Sequence, residues 1–181
     1  GNDRLDGGSG YDYASYGAAS AGISLNLSTG TATGGDGSDT LIGIEGAYGS
    51  GFADTLIGDA AANNLLGNAG DDSISGAAGI DYLVGNTGND TLDGGTDDDQ
   101  LNGGSDDDTL DGGGGNDTLW DDSGYDKLAG GTGDDTFYVL DSTFTGAGEL
   151  ARFRIDSITE GADAGTDTIT IKHGTGNISC S

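Results

Sequence analysis

Residues 85–111 read GNTGNDTLD, GGTDDDQLN and GGSDDDTLD, three nonapeptides in which Gly stands first, Asp sixth and Leu eighth. The same frame extends in both directions from Gly49 to Tyr138 without a gap, giving ten nonapeptides. Position one is Gly in nine of the ten, and position six is Asp in nine, with Asn63 the exception. Position eight is apolar in all ten: Leu56, Leu65, Ile74, Leu83, Leu92, Leu101, Leu110, Leu119, Leu128 and Phe137. A strict period over this length predicts a solenoid, in which each repeat buries its apolar side only against its neighbours.

The frame also appears upstream. GGDGSDTLI (34–42) is a full copy with Asp39 sixth, and GGSGYDYAS (7–15) is another with Asp12 sixth. Residues 16–33 lose the Gly and Asp, and Ile23, Leu25 and Leu27 alternate with polar residues as one longer strand would. GIEGAY (43–48) reads as a six-residue irregularity before the array. This divides the chain into irregular N-terminal coils (1–48), a regular array (49–138) and a C-terminal capping segment (139–181).

Six residues rich in Gly and Asp form a turn, because Gly accepts positive φ and close backbone approach. Three residues built on Thr and Leu form a short strand. Turn–strand–turn–strand closes one 18-residue coil, so the expected fold is all-β: a parallel β-roll or β-helix with two short strands per coil. Position eight points inward, and positions seven and nine point outward. Coils then stack about 4.8 Å apart, with residue i above residue i+18. One edge carries Asp54, Asp72, Asp90, Asp108 and Asp126, and the other Asn63, Asp81, Asp99, Asp117 and Asp135.

Charge says what such columns bind. The 181 residues carry 32 acids against 5 Lys and Arg, a net charge of −27. That balance repels nucleic acid and anionic lipid, and no apolar run approaches the ~20 residues of a membrane-spanning helix. All acids but Glu45, Glu149 and Glu160 are Asp, whose short side chain keeps its carboxylate near loop carbonyls. Carboxylates stacked at coil spacing repel one another unless a cation lies between them. Ca²⁺ takes 6–8 oxygens, carboxylate and carbonyl alike, in flexible geometry, whereas Mg²⁺ demands a stricter octahedron. Soft N and S ligands are missing from the pattern, which disfavours zinc and copper. The candidate calcium ligands are therefore the position-six side chains of both edges together with Asp39 and Asp12. The four gaps in each five-residue column predict about eight ions in the regular array. One buried Leu-sized group per repeat contributes less than the ordering of nine residues costs, so binding and folding are expected to be one event.

These nonapeptides resemble the repeats-in-toxin (RTX) motif, GGxGxDxUx with U large and apolar, over roughly residues 1–138. The resemblance implies a calcium-binding array that crosses a type I secretion channel unfolded and folds outside the cell, as part of a secreted or cell-surface bacterial protein. The chain departs from the motif at position four, where Phe52, Ala61, Asp97 and Asp106 stand, and at Asp121–Asp122, which replace a Gly pair. Frames 49–57 and 58–66 are the weakest calcium candidates.

Past Tyr138 the frame dissolves. Alternation returns at 150–158, with Phe153 and Ile155 on one side, and at TDTITIK (166–172), and residues 139–181 read as a β-rich cap over the last ladder edge. Asp156 and Asp167, each two residues before an Ile, read first as turn carboxylates, with one more calcium site as the alternative, and Asp6, Asp93 and Asp111 read as turn starters. Trp120 and Tyr138, at position nine, face outward. In the DDD runs, Asp99 and Asp108 hold phase six, and Asp97, Asp98, Asp106 and Asp107 read as a solvated face. His173 and Cys180 stand alone, giving no acid–base or nucleophile pair, so no enzymatic activity is expected.

Two alternatives to a calcium module also fit the pattern. One is a structural subunit of an adhesin, surface layer or filament, with upstream repeats or other copies of the chain as partners. The other is a ligand-binding face. An ice-binding face needs uniform Thr and Asn rows, which only Thr87 and Asn89 supply. An acidic glycan meets just five basic residues and would need calcium bridges.

Overall fold

A computed structural model describes residues 1–35, 37–140, 157–159, 165–173 and 176–180. The N-terminal strands are β1 (Arg4–Asp6), β2 (Tyr13–Ser15), β3 (Ile23–Asn26), β4 (Thr31–Gly34), β5 (Gly37–Ile42), β6 (Gly46–Tyr48) and β7 (Thr55–Ile57). The array continues through β8 (Asn64–Ala69), β9 (Ser73–Ala78), β10 (Tyr82–Thr87), β11 (Thr91–Thr96), β12 (Gln100–Ser105), β13 (Thr109–Gly114), β14 (Thr118–Asp121), β15 (Lys127–Thr132) and β16 (Thr136–Leu140). Three strands follow: β17 (Ser157–Thr159), β18 (Thr168–His173) and β19 (Gly176–Cys180). The described residues contain strands and turns and no helix.

The strands form the two sheets of a parallel β-solenoid. One runs β1-β5-β4-β3-β7-β9-β11-β13-β15-β17, and the other runs β19-β18-β16-β14-β12-β10-β8-β6-β2. Within the array every partner lies 18 residues away, as in Leu83↔Leu101 and Leu92↔Leu110. The ten position-eight side chains from Leu56 to Phe137 are 0–1% exposed and form a single column of core between the sheets.

The strands are longer than the expected three residues. In β8 to β13 and β15 they reach six, running from position seven through position three of the next frame. The register skips the position-one glycine between Asp93↔Asp111 and Gly95↔Gly113, so the chain bends there without leaving the ladder. Asp93 and Asp111 consequently lie side by side within strands and start no turn, whereas Asp6 is the last residue of β1.

Two upstream readings also change. Residues 16–33 do not make one long strand. β3 and β4 form an antiparallel hairpin spliced into the first sheet, with β3 parallel to β7 and β4 antiparallel to β5. Four residues, 27–30, connect β3 to β4, and Leu25 in β3 occupies a position-eight place beside Leu56. GIEGAY is no interruption either. It is the second part of a frame, with Glu45 at position six and Ala47 inside the core between Ala14 and Leu65.

Downstream, β17 and β18 extend both sheets, with Ile158 beside Leu128 and Ile169 beside Phe137. β19 folds back antiparallel on β18. The alternation at Phe153 and Ile155, and Asp156, lie outside the described residues. On the outer face of the second sheet, Trp120 and Tyr138 stack on each other with ring centroids 5.7 Å apart and planes 9° from parallel.

Candidate metal centre

The turns between strands have a fixed backbone pattern. Position two takes positive φ at Asn68, Ala77, Asn86, Gly95, Gly104, Gly113 and Gly131, and position four does so at Gly70, Gly79, Gly88, Asp97, Asp106, Gly115, Gly124 and Gly133. Asp97 and Asp106 fit there because a short Asx side chain tolerates the left-handed region. The position-one glycine has a different reason. Its φ is ordinary, but a Cβ on Gly94 would sit 2.6 Å from both Asp99 Oδ2 and the carbonyl oxygen of Gly112, and one on Gly112 would meet Asp117 Oδ2 at 2.5 Å and the Gly130 carbonyl at 2.6 Å. The missing side chain is where the carboxylate packs.

That packing buries the acids. Asp54, Asn63, Asp72, Asp81, Asp90, Asp99, Asp108, Asp117, Asp126 and Asp135 are all within 3% of complete burial, and Asp39 is 8% exposed. The two columns expected from the 18-residue stagger are present, and their first oxygens share one task. The backbone N–H of Asp54 donates to Asp72 Oδ1 at 2.7 Å, and those of Asp72, Asp90 and Asp108 donate to Oδ1 of Asp90, Asp108 and Asp126 at 2.8 Å. On the other edge the N–H of Asn63 donates to Asp81 Oδ1 at 2.7 Å, and those of Asp81, Asp99 and Asp117 donate to Asp99, Asp117 and Asp135 at 2.8 Å. Each carboxylate thus ties its coil to the one before it by a charge-assisted bond.

Two members of these columns escape a search for GGxGxD. Asp167 accepts the N–H of Asp135 at 2.9 Å, and Glu45 Oε2 accepts that of Asp12 at 2.9 Å. Asp167 is therefore a column member rather than a turn carboxylate. The clue available in the sequence was GTDTIT, which places an Asp two residues before an apolar residue without the leading glycines.

The second oxygen is where a ligand is implied. Oδ2 of Asp72, Asp81, Asp90, Asp99, Asp108 and Asp117 is buried with no hydrogen-bond partner. A buried, unpaired carboxylate oxygen is costly, and these groups respond accordingly. Burial is the largest cause in every case, pushing Asp81 and Asp90 up to about 6, Asp72, Asp99 and Asp117 to about 7 and Asp108 to about 8, against an ordinary 3.8. The bonded backbone N–H opposes the shift, and neighbouring carboxylates add to it, such as Asp126 and Asp90 around Asp108. A hard cation would satisfy each oxygen and remove the penalty. Among the described residues no three His, Cys, Asp or Glu side chains converge on one point, so such an ion would draw most of its oxygens from turn carbonyls. Ca²⁺ accepts that mixture of donors.

The outlying candidates differ. Asp12 is half-buried, and its Oδ2 has no partner. Asp39 accepts the N–H of Asp3 at Oδ1 (2.8 Å) and the Tyr16 hydroxyl at Oδ2 (3.0 Å). Asp54 accepts from the N–H of Ile23 (2.7 Å), the Ser50 hydroxyl (2.7 Å) and the Ser50 N–H. Asn63 accepts the N–H of Asp59 at 2.7 Å and donates to the Glu45 carbonyl at 3.1 Å.

A second ladder runs outside the first and in the opposite sense. Asn89 N–H donates to Asp71, Asp107 N–H to Asn89, and Tyr125 N–H to Asp107, at 2.9–3.0 Å. On the other edge Asn116 N–H donates to Asp98, Asp134 N–H to Asn116 and Thr166 N–H to Asp134. Asp97 accepts from the N–H of Gly79. The acids read as a solvated face therefore also carry inter-coil bonds at Asp97, Asp98 and Asp107.

Comparison with known proteins agrees with this geometry. The model of the RTX calcium-binding nonapeptide repeat (4 copies) matches residues 1–14, 31–47, 48–83, 75–110, 84–119 and 111–140. A comparison with curated proteins finds no match.

Proposed function

The chain belongs to the RTX calcium-binding nonapeptide repeat family, and from that membership we propose that it is the calcium-binding β-roll module of a secreted or cell-surface bacterial protein, winding up on calcium outside the cell. The observation that supports this most directly is the set of buried, unpartnered Oδ2 atoms held in register along both edges. The residues fit the ion. Position-six carboxylates would supply its charged oxygens, and the ion would cancel the desolvation and mutual repulsion that oppose their ionised form. The chain's own contribution is to hold each carboxylate by Oδ1 so that Oδ2 is fixed in place.

Extracellular calcium-binding modules bind with Kd ~10⁻⁴–10⁻³ M, and an affinity in that range would leave the array unwound inside a cell and wound outside it. In this reading the chain binds and does not catalyse. Calorimetric titration with CaCl₂ tests it. Several equivalents are expected to bind with a simultaneous gain of β-structure, and a chain that binds no calcium would refute the reading.

A further inference from the structure

Eleven of the twelve position-six sites in frames 7–15, 34–42 and 49–138, all but Asp135, fall into two classes, and the backbone at position two separates them. Where position two has positive φ, at Gly8, Asn68, Ala77, Asn86, Gly95, Gly104 and Gly113, the following Asp (12, 72, 81, 90, 99, 108 and 117) has an Oδ2 without a protein partner. Where it does not, at Gly35, Ser50, Asp59 and Asp122, the following Asp39, Asp54, Asn63 and Asp126 are absent from that group. The physical link is visible in frames 49–57 and 58–66. With negative φ, the position-two N–H turns toward the position-six side chain and donates to it: Ser50 to Asp54, Asp59 to Asn63. In the positive-φ frames no such bond reaches Oδ2.

Three of the four lie together. Asp39, Asp54 and Asn63 fall within residues 16–66, Asp126 stands in the array, and the 16–66 segment also holds itself together by other means. Ten apolar residues between Ala14 and Ala47 are buried, including Tyr16, Ile23, Leu25, Leu27, Leu41 and Ile44, against one per nonapeptide in most of the array. The β3–β4 hairpin supplies contacts between neighbours in sequence, whose loop-closure cost is small. Tyr13 stacks on Tyr48 at 5.2 Å, bridging β2 and β6.

We infer that calcium enters this chain selectively: position-two backbone conformation assigns ions to the turns ending in Asp12, Asp72, Asp81, Asp90, Asp99, Asp108 and Asp117, while residues 16–66 are a calcium-independent folded segment from which the array winds. This rests on the calcium reading above. It also lowers the expected ion number in the regular array, because Asp54 and Asn63 have protein partners where the others would have metal.

Hydrogen exchange of the full chain, read by mass spectrometry in EGTA and in CaCl₂, tests the inference. Amides of residues 23–57 are expected to be protected in both conditions, and those of 85–117 only with calcium. Equal exchange of the two segments in EGTA would overturn it. Equilibrium dialysis gives an independent readout: Asp54→Asn is expected to leave the number of bound ions unchanged, and Asp90→Asn to lower it. Loss of an ion in Asp54→Asn would overturn the assignment. Failure of the calcium reading itself looks different, with no segment changing its exchange on adding calcium.

Discussion

Each nonapeptide places its glycines and its acid for separate physical reasons. Position one needs space, and from Asn68 onward positions two and four, Asp122 excepted, take the left-handed region. A Gly94→Ala variant should therefore lose stability by about 1–3 kcal/mol through overpacking, because its Cβ would press on Asp99 and the Gly112 carbonyl. Gly51→Ala, with nothing within 4 Å of the added atom, should stay within about 0.5 kcal/mol. Urea denaturation of both in saturating calcium checks the contrast. The buried acids give a second residue-scale expectation. Their folded values of about 6 to 8 lie above the ordinary 3.8, so the metal-free roll holds more protons than the unfolded chain across that window. Its stability is then present at low pH and lost as pH rises through the folded values. In EGTA, acidification from pH 8 to 5 should restore β-structure by circular dichroism, while calcium affinity falls over the same range as protons compete for Oδ2. A metal-free chain whose spectrum is unchanged over that range would contradict the shifts. The sequence displayed the phase of these acids, but not that Oδ1 is committed to a backbone N–H. That division depends on the 18-residue stacking and on a φ value at position two, which Asn68 and Ala77 adopt as Gly95 does.

The strands show which parts of the pattern were legible. Position eight was plain because a buried column tolerates only apolar residues, and Leu101 is fully buried. Leu101→Ala should cost about 2–5 kcal/mol in the calcium-loaded form, measured by the same denaturation. Strand length was not legible, since the glycines at positions one and two look like turn residues yet remain in the ladder. The hairpin at 23–34 was hidden for another reason. Ile23, Leu25 and Leu27 alternate as any strand does, and nothing local tells a strand that continues from one that doubles back. Glu45 and Ala47 were read as an irregularity because they keep the spacing of the frame but not its letters. Their places are fixed by neighbours in other coils: the Glu45 side chain accepts from Asp12, and its carbonyl accepts from Asn63.

At the scale of the whole molecule, stability is a sum over neighbouring coils, and the array between Asp72 and Asp117 is a stack of similar units. Removing residues 85–102, one full coil, should preserve the fold while lowering the number of calcium ions bound. Equilibrium dialysis and circular dichroism of the shortened chain check both halves of that statement. The net charge of −27 opposes compaction of the metal-free chain as a whole, and the carboxylates of the two columns are the part of it that folding buries. Calcium and winding are therefore two faces of one equilibrium along these columns. The most direct test is a circular dichroism titration of the full chain, starting in EGTA and ending in millimolar CaCl₂. A weak β signal from the N-terminal coils is expected at the start, then a cooperative rise that saturates as several ions bind. A complete β spectrum in EGTA at pH 8, unchanged by calcium, would contradict it.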